Sequence, residues 1–479
     1  MQTQQDLIPI DSWNQAGLAD SRFSGVKNSF YKMLGWDVHS TPGLLKVAQK
    51  MTKDSGTTIT ALCRASVSSS ENIRYWFSYT DGKIWQEKAG TYTLVHTTTA
   101  GAGTHGCLGA IEYRGFIYFA TQSRLHRIAV GSADGSAAWT SNVAEDWATF
   151  TTTDTEFHPM VEQNLILYIG DGNQLAQVDN VTFSASALDI KTPLRIKSLG
   201  KTNTDVLIGT YVADTVTETE IIRWNTWSVS FTSSDTIPEN GINAFLPGDN
   251  FVIVQAGNQG NFYYYDGSKL ELYKKLPGDW SPTKYGTVHP NAVGRIGERI
   301  LFGLSNGSGN PTEQGVYQFA RNSRNYPLIL DLPYPISERS TGSLVTSGIE
   351  IGAIQVVGND IYCSWKNSTT YGIDKLDYSN KLSLGYLETR TMVVNREALS
   401  TFTKFVTAYY SLPASTSIVM GYDKNHTGAY TTMTSVLDTQ RKIYEAGEGV
   451  EATTLQFRLS VTVNSNDAPE IESAGIFLS

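Results

Sequence analysis

At 479 residues, 40% apolar and only 17% charged, the chain is too long for one ordinary core and too rich in Ser, Thr, Asn and Gly to favour helices. A formal charge of −9 speaks against general nucleic-acid binding, which needs a basic footprint. Cys63, Cys107 and Cys363 lie far apart with no CxxC, which speaks against a disulfide framework or a zinc knuckle and makes them buried thiols.

The opening MQTQQDLIPIDSWNQ has neither a basic n-region nor an apolar h-region, so Sec export is not expected. No apolar run approaches the ~20 residues of a membrane helix. Residues 1–50 follow no repeat. Leu7 to Ile10 alternate weakly, Trp13 to Asn28 is polar and Gly-rich, and Thr41-Pro42-Gly43 turns into Leu44-Leu45-Lys46-Val47. This reads as an N-terminal arm whose last strand completes a blade formed by the far end of a ring. Its low apolar content predicts that the arm orders against a neighbouring subunit.

From residue 51 to 383 a strand–turn–strand pattern recurs. Its first strands are Arg74-Tyr75-Trp76-Phe77, Gly115 to Phe119, Asn164 to Ile169, Asp205 to Ile208, Asn250 to Val254, Arg299 to Phe302 and Asp360 to Cys363. The partners run from Gly82 to Trp85, Arg124 to Ile128, Gln174 to Val178, Ile221 to Trp224, Phe262 to Tyr265, Gly315 to Phe319 and Gly372 to Leu376. Intervals of about 41, 49, 41, 45, 49 and 61 residues match the ~40–50 of a four-stranded blade. Asp-Gly at 81–82, 171–172 and 266–267 marks turns. A lone hairpin cannot bury its face, whereas seven stacked radially can, so the expected fold is an all-β propeller of about seven blades. The longest interval predicts an insertion around Asn322 to Gly342.

From residue 384 to 479 the strands lengthen and alternate strictly, as in Leu455-Gln456-Phe457-Arg458-Leu459-Ser460-Val461, which predicts a small antiparallel β-sandwich. The polar stretch Asp377 to Lys381 reads as the linker before it.

Three stretches of the arm, Gly17-Leu18-Ala19-Asp20-Ser21, Lys27-Asn28-Ser29-Phe30 and Gly35-Trp36-Asp37-Val38-His39-Ser40-Thr41-Pro42-Gly43-Leu44-Leu45-Lys46-Val47, resemble the opening of structural proteins of tailed bacteriophages. Gln456-Phe457-Arg458-Leu459 and Asn466-Asp467-Ala468-Pro469-Glu470-Ile471-Glu472-Ser473 resemble their terminal sandwich. The resemblance implies a virion setting: a hub, nozzle or tail-tip protein made in the host cytoplasm, present in several copies, partnered by other tail proteins. A host surface glycan is the candidate further partner.

The chemistry-bearing residues give no catalytic, cofactor-binding or metal assignment. No G-x-S-x-G, HExxH, P-loop or EF-hand spacing occurs, and His39, His96, His105, His126, His158, His289 and His426 are scattered. Ser78-Tyr79-Thr80-Asp81-Gly82-Lys83-Ile84-Trp85 resembles a sialidase Asp-box with its Asp one place late, and reads as an ordinary hairpin turn. A propeller glycosidase needs paired carboxylates, or a Tyr with a carboxylate, at the ring axis, with Arg residues for an acidic sugar. Arg74, Arg114 and Arg223 lie in or beside repeat strands. Asp214, Glu218 and Glu220 lack the Gly of a calcium loop and read as a solvated connection. Tyr263-Tyr264-Tyr265, Trp224, Trp227 and Trp280 serve either blade packing or sugar stacking. The expectation is a non-enzymatic structural protein; a carbohydrate-active propeller enzyme and a lectin-like module are the alternatives.

Overall fold

The computed structural model describes residues 6–10, 13, 17–24, 29–98, 105–152, 156–212, 218–278, 280–281, 283–307, 313–321, 327–338, 348–393 and 400–478. Seven four-stranded antiparallel blades form a closed propeller. Blade 1 comprises Cys63–Ser70, Ile73–Ser78, Lys83–Lys88 and Thr91–Thr97. Blade 2 comprises Gly109–Tyr113, Phe116–Ala120, Arg124–Ala129 and Ala144–Thr149. Blade 3 runs through Met160–Gln163, Ile166–Asp171, Gln174–Asp179 and Thr182–Asp189. Blade 4 follows with Arg195–Lys201, Val206–Tyr211, Thr219–Trp224 and Ser233–Ile237. Blade 5 is Ile242–Pro247, Val252–Ala256, Asn261–Tyr265 and Leu270–Lys275. Blade 6 is Gly286–Ile296, Arg299–Asn306, Gly315–Ala320 and Ile329–Pro335.

Blade 7 takes Ile349–Val357, Asp360–Asn367 and Thr370–Lys381 from the end of the ring and Gln49–Lys53 from before its start. Gln49–Lys53 pairs antiparallel with Thr370–Lys381, placing Met51 opposite Leu376 and Lys53 opposite Asp374. The ring is therefore clasped by an N-terminal strand, which forms the outermost strand of blade 7.

The recurring sequence pairs are the second and third strands of each blade, and these carry the apolar core. In Phe116–Ala120 and Ile166–Asp171 all but the first residue is buried, as a strand covered on both faces requires. Asp81-Gly82 and Asp171-Gly172 turn between second and third strands, whereas Asp266-Gly267 turns between the third and fourth strands of blade 5. Gly82, Gly172 and Gly267 have φ of +65°, +59° and +90°, the left-handed region that a turn without Cβ enters freely. The helix Ser136–Asn142 bridges the third and fourth strands of blade 2, burying Trp139 against Tyr75, Phe119 and His96.

Part of the stretch expected as an insertion is regular. Ile329–Pro335 is the outermost strand of blade 6, entirely buried because the sandwich packs on it. Residues 322–326 and 339–347 lie outside the described residues.

The N-terminal segment corrects the expectation of a separate arm. Asp6–Ile10 and Leu45–Val47 pair in succession along one edge of the last strand, Glu470–Leu478, and Trp36–Asp37 pairs in turn with Leu45–Val47. That sheet continues through Ser400–Ser411, Arg441–Ala452 and Thr434–Leu437. Phe30–Leu34 enters the facing sheet beside Leu384–Thr389, followed by Thr454–Thr462, Ser417–Lys424 and Thr431–Thr432. The few apolar residues of residues 1–50 are spent inward: Trp13, Leu18, Phe30, Met33, Leu34, Trp36, Val38, Leu45 and Val47 are all buried within this chain. Packing against a neighbouring subunit is not needed to order them.

The sandwich core, with Phe402 and Phe405 against Phe457, is continuous with the core of blades 5 to 7. Backbone bonds from Leu18 N to Leu330 O (2.8 Å) and Gly35 N to Leu332 O (2.9 Å) fix the sandwich to the outer edge of blade 6. At Gly17 a Cβ would meet Leu330 O at 2.5 Å, so this close approach requires glycine. Asp377 to Lys381 is not an exposed linker; it is the end of the strand that holds the clasp.

Candidate functional site: a charged cavity at the propeller axis

The first strand of each blade contacts the first strands of both neighbours, so seven strands surround the axis. Buried polar side chains pin the seams. Ser198 Oγ donates to Ile242 O (2.8 Å) between blades 4 and 5, and Val288 N donates to Gln255 Oε1 (3.0 Å) between blades 5 and 6. Ile351 N donates to Ser305 Oγ (2.8 Å) between blades 6 and 7, and Ser364 Oγ, which accepts from Ala353 N (2.8 Å), donates to Cys63 O where blade 7 meets blade 1. At that last seam a Cβ on Gly352 would lie 2.1 Å from Cys63 O.

Within this ring lies a cavity of about 190 Å³, lined by Arg64, Tyr79, Glu156, Phe157, Lys197, Tyr285, His289 and Glu350 among others. Arg64, Lys197 and Glu350 each sit on a first strand that alternates between blade interior and axis, as in Cys63-Arg64-Ala65 and Ile349-Glu350-Ile351. The Arg64 guanidinium lies 3.6 Å from the Tyr79 ring centroid, and Tyr79 stacks in turn on His105 at 4.7 Å. Arg64 Nη2 is 3.4 Å from Glu350 Oε2, while Lys366 Nζ takes the other carboxylate oxygen at 3.1 Å.

Lys197 is placed differently. Its ammonium stands 5.4 Å from the Phe157 centroid and 5.8 Å from that of Tyr211, with no hydrogen bond or ion pair among the described residues. Burial pushes its pKa down to about 8; Glu156 opposes the shift and Arg64 adds to it. His289 is held neutral, its pKa well below the ordinary value through burial and then the nearby Arg64 and Lys197. Its Nδ1 accepts a bond from Asn291 N (3.2 Å), and Asn291 Nδ2 donates to Arg64 O (2.7 Å).

Of the residues singled out from sequence, His289 and Tyr79 of the Asp-box-like run line the cavity and His105 stacks on Tyr79; the other described ones lie elsewhere. Arg74 is paired with buried Glu87 and stacks 4.4 Å from Tyr362 between blades 1 and 7. Arg114 is exposed at a turn, and Arg223 binds Asp205 (2.8 Å) and Gly267 O (2.9 Å) between blades 4 and 5. Asp81 serves its own turn: its carboxylate accepts from Lys83 N (3.2 Å) and Thr60 Oγ1 (3.1 Å). Tyr263, Tyr265 and Trp224 are buried in blade packing, Trp280 packs beside Gly260 and Gly286, and Trp227 is 84% exposed on a turn of blade 4. Asp214 lies outside the described residues, while Glu218 and Glu220 flank Thr219 at the start of a blade 4 strand. The three cysteines are free and buried. Among the described residues no group of three His, Cys, Asp or Glu is placed to hold a metal ion.

Arg64, Lys197, Glu156 and Glu350 were passed over in the sequence because the repeat was anchored on second and third strands. The available signal for Arg64, Lys197 and Glu350 was a charged residue at an alternating position in the strand upstream of its anchor; Glu156, on no strand, left none.

No protein-family model matches the chain, and no curated protein does. Solved structures similar to it are propellers or contain them. The extracellular domain of a hybrid two-component system from B. thetaiotaomicron aligns at TM-score 0.46 and 13% identity over 80% of this chain, which spans 44% of that longer structure. A streptogramin B lyase aligns at 0.46 and 10% identity, covering 68% of this chain and 97% of the lyase. BamB from Moraxella catarrhalis aligns at 0.38 and 10% identity, covering 78% and 98%. At these levels the likeness is one of architecture and carries no function with it.

Proposed function

We propose that this chain is a structural component of a bacteriophage tail, a rigid hub, nozzle or tip part acting through fixed contacts with other tail proteins. The observation that carries the reading is where the two phage-like segments meet. Leu45 pairs with Ile471 and Lys46 with Glu470, and an ion pair of 3.0 Å joins Lys46 to Glu470. The motifs at opposite ends of the chain are thus one structural unit, the sandwich fixed on blade 6. A closed ring clasped by its own N-terminal strand suits a part that must keep its shape outside a cell.

The test is mass spectrometry of gradient-purified particles from a culture carrying the encoding genome, with antibody–gold labelling in electron micrographs. The expected result is several copies per particle, with label at the tail. A chain recovered only from particle-free supernatant would end the tail reading. One observation favours the enzymatic alternative: Glu156 and Glu350 line a single axial cavity with Arg64 and Tyr79. Hydrolysis of an acidic polysaccharide by the wild type, lost in both Glu156→Gln and Glu350→Gln, would establish it.

A further inference from the structure

We propose that the axial cavity binds one carboxylate-bearing sugar ring, a hexuronic acid unit of an acidic polysaccharide, with Lys197 and Arg64 holding its carboxylate. The inference stands on the cavity and does not depend on the tail reading.

Charge comes first. Among the described residues the lining sets two cations, Arg64 and Lys197, against two carboxylates, Glu156 and Glu350, and Lys366, outside the lining, also binds Glu350. Glu350 is thus neutralised twice over, and low-dielectric walls focus the field of the remaining cation on an entering anion. Lys366 and Arg64 share Glu350, whereas the Lys197 ammonium has no anionic contact at hydrogen-bond distance among the described residues. Arg64 uses one nitrogen on Glu350 out of a fork of five N–H donors.

Shape and lining then narrow the ligand. The volume of about 190 Å³ is below the roughly 300–1,000 Å³ of drug-sized sites, and suits a single ring. Phe157 and Tyr285 supply ring surface for the C–H side of a pyranose. Glu156 and Glu350 would repel a phosphate dianion, but they accept hydrogen bonds from sugar hydroxyls. One carboxylate among several hydroxyls matches this mixture of cations, acceptors and rings better than a bare anion does.

The experiment is calorimetric titration of the full-length protein with methyl β-D-glucuronide, methyl β-D-glucoside and inorganic phosphate. The glucuronide should bind at least about tenfold more tightly than either of the others. Lys197→Met should weaken the glucuronide by about tenfold or more, while Lys201→Met, at the far end of the same strand, should not. Should Lys197→Met fail to fold, the wild type provides a second readout. Glucuronide should protect the peptide containing Lys197 from reductive methylation, and glucoside should not. Equal binding of glucuronide and glucoside, phosphate binding as tightly as glucuronide, or no protection of Lys197 would overturn the proposal. Binding without particle association would sink the tail reading alone; particle association without binding would sink only this one.

Discussion

Replacing Asp374 by asparagine tests whether burial in the clasped blade makes a carboxyl group hold its proton more tightly in the folded protein. Asp374 lies on the third strand of blade 7, opposite Lys53 of the clasp, and is fully buried. Trp365 Nε1 and Ser337 Oγ donate to its Oδ1, and Ser337 N donates to Oδ2, each at 2.7 Å. Burial outweighs these donors and raises its pKa from 3.8 to about 6. An acid whose folded pKa is raised binds its proton more tightly when folded. Its contribution is fully present below 3.8 and is lost as pH rises through about 6. The full shift is worth about 3 kcal/mol, of which about 2 kcal/mol is gained between pH 7.5 and 4.5. Urea unfolding at both pH values, followed by tryptophan fluorescence, gives this term as the difference between wild type and Asp374→Asn. Groups titrating elsewhere cancel in that comparison. If both proteins respond to pH in parallel, the three donors hold the carboxylate ionised and the reasoning fails.

Arg74→Ala should cost about 3–5 kcal/mol in urea unfolding, because Glu87, only 1% exposed, is left as a buried unpaired charge. Arg74→Met combined with Glu87→Leu should recover most of that loss; a single mutant as stable as wild type would show that the pair is not desolvated. Residues 384–479 expressed alone should give no cooperative thermal transition, and co-expression with residues 1–47 should restore one, since Phe30–Leu34, Leu45–Val47 and Asp6–Ile10 complete both sheets. A cooperative transition from the C-terminal fragment alone would contradict this topology.

The ring was legible in the sequence because its second and third strands are buried on both faces and so read as short apolar runs between turns. The clasp was legible only to within a strand: Leu44-Leu45-Lys46-Val47 reads as the ring-closing strand, but Leu45–Val47 pairs with Trp36–Asp37 and Glu470–Leu478 in the sandwich, and the clasp is the next strand, Gln49–Lys53. The fate of the rest of the N-terminal segment was not legible. The burial of Trp13, Phe30 and Trp36 depends on strands hundreds of residues away: Trp13 donates its indole N–H to Glu472 O, Phe30 pairs opposite Thr389 and Trp36 packs at Gly385. The axial cavity was hidden for the opposite reason. Its charged residues are dispersed, Arg64, Lys197 and Glu350 on the first strands of blades 1, 4 and 7 and Glu156 ahead of blade 3, and only ring closure brings Arg64, Lys197 and Glu350 together.

The clasp also sets an order of events during synthesis. Met51 leaves the ribosome 325 residues before its partner Leu376, and Asp6–Ile10 precedes its partner Glu470–Leu478 by longer still. At about 5–20 residues per second the clasp waits roughly 16–65 s with its strand edge unpaired. Blades 1 to 6 can stack meanwhile; the ring closes once Thr370–Lys381 emerges, and the sandwich completes only with Glu470–Leu478. A product truncated before Glu470 therefore carries an incomplete sandwich. A virion assembled from this chain would then receive a built-in check on completeness, because only molecules that include Glu470–Leu478 carry a finished sandwich.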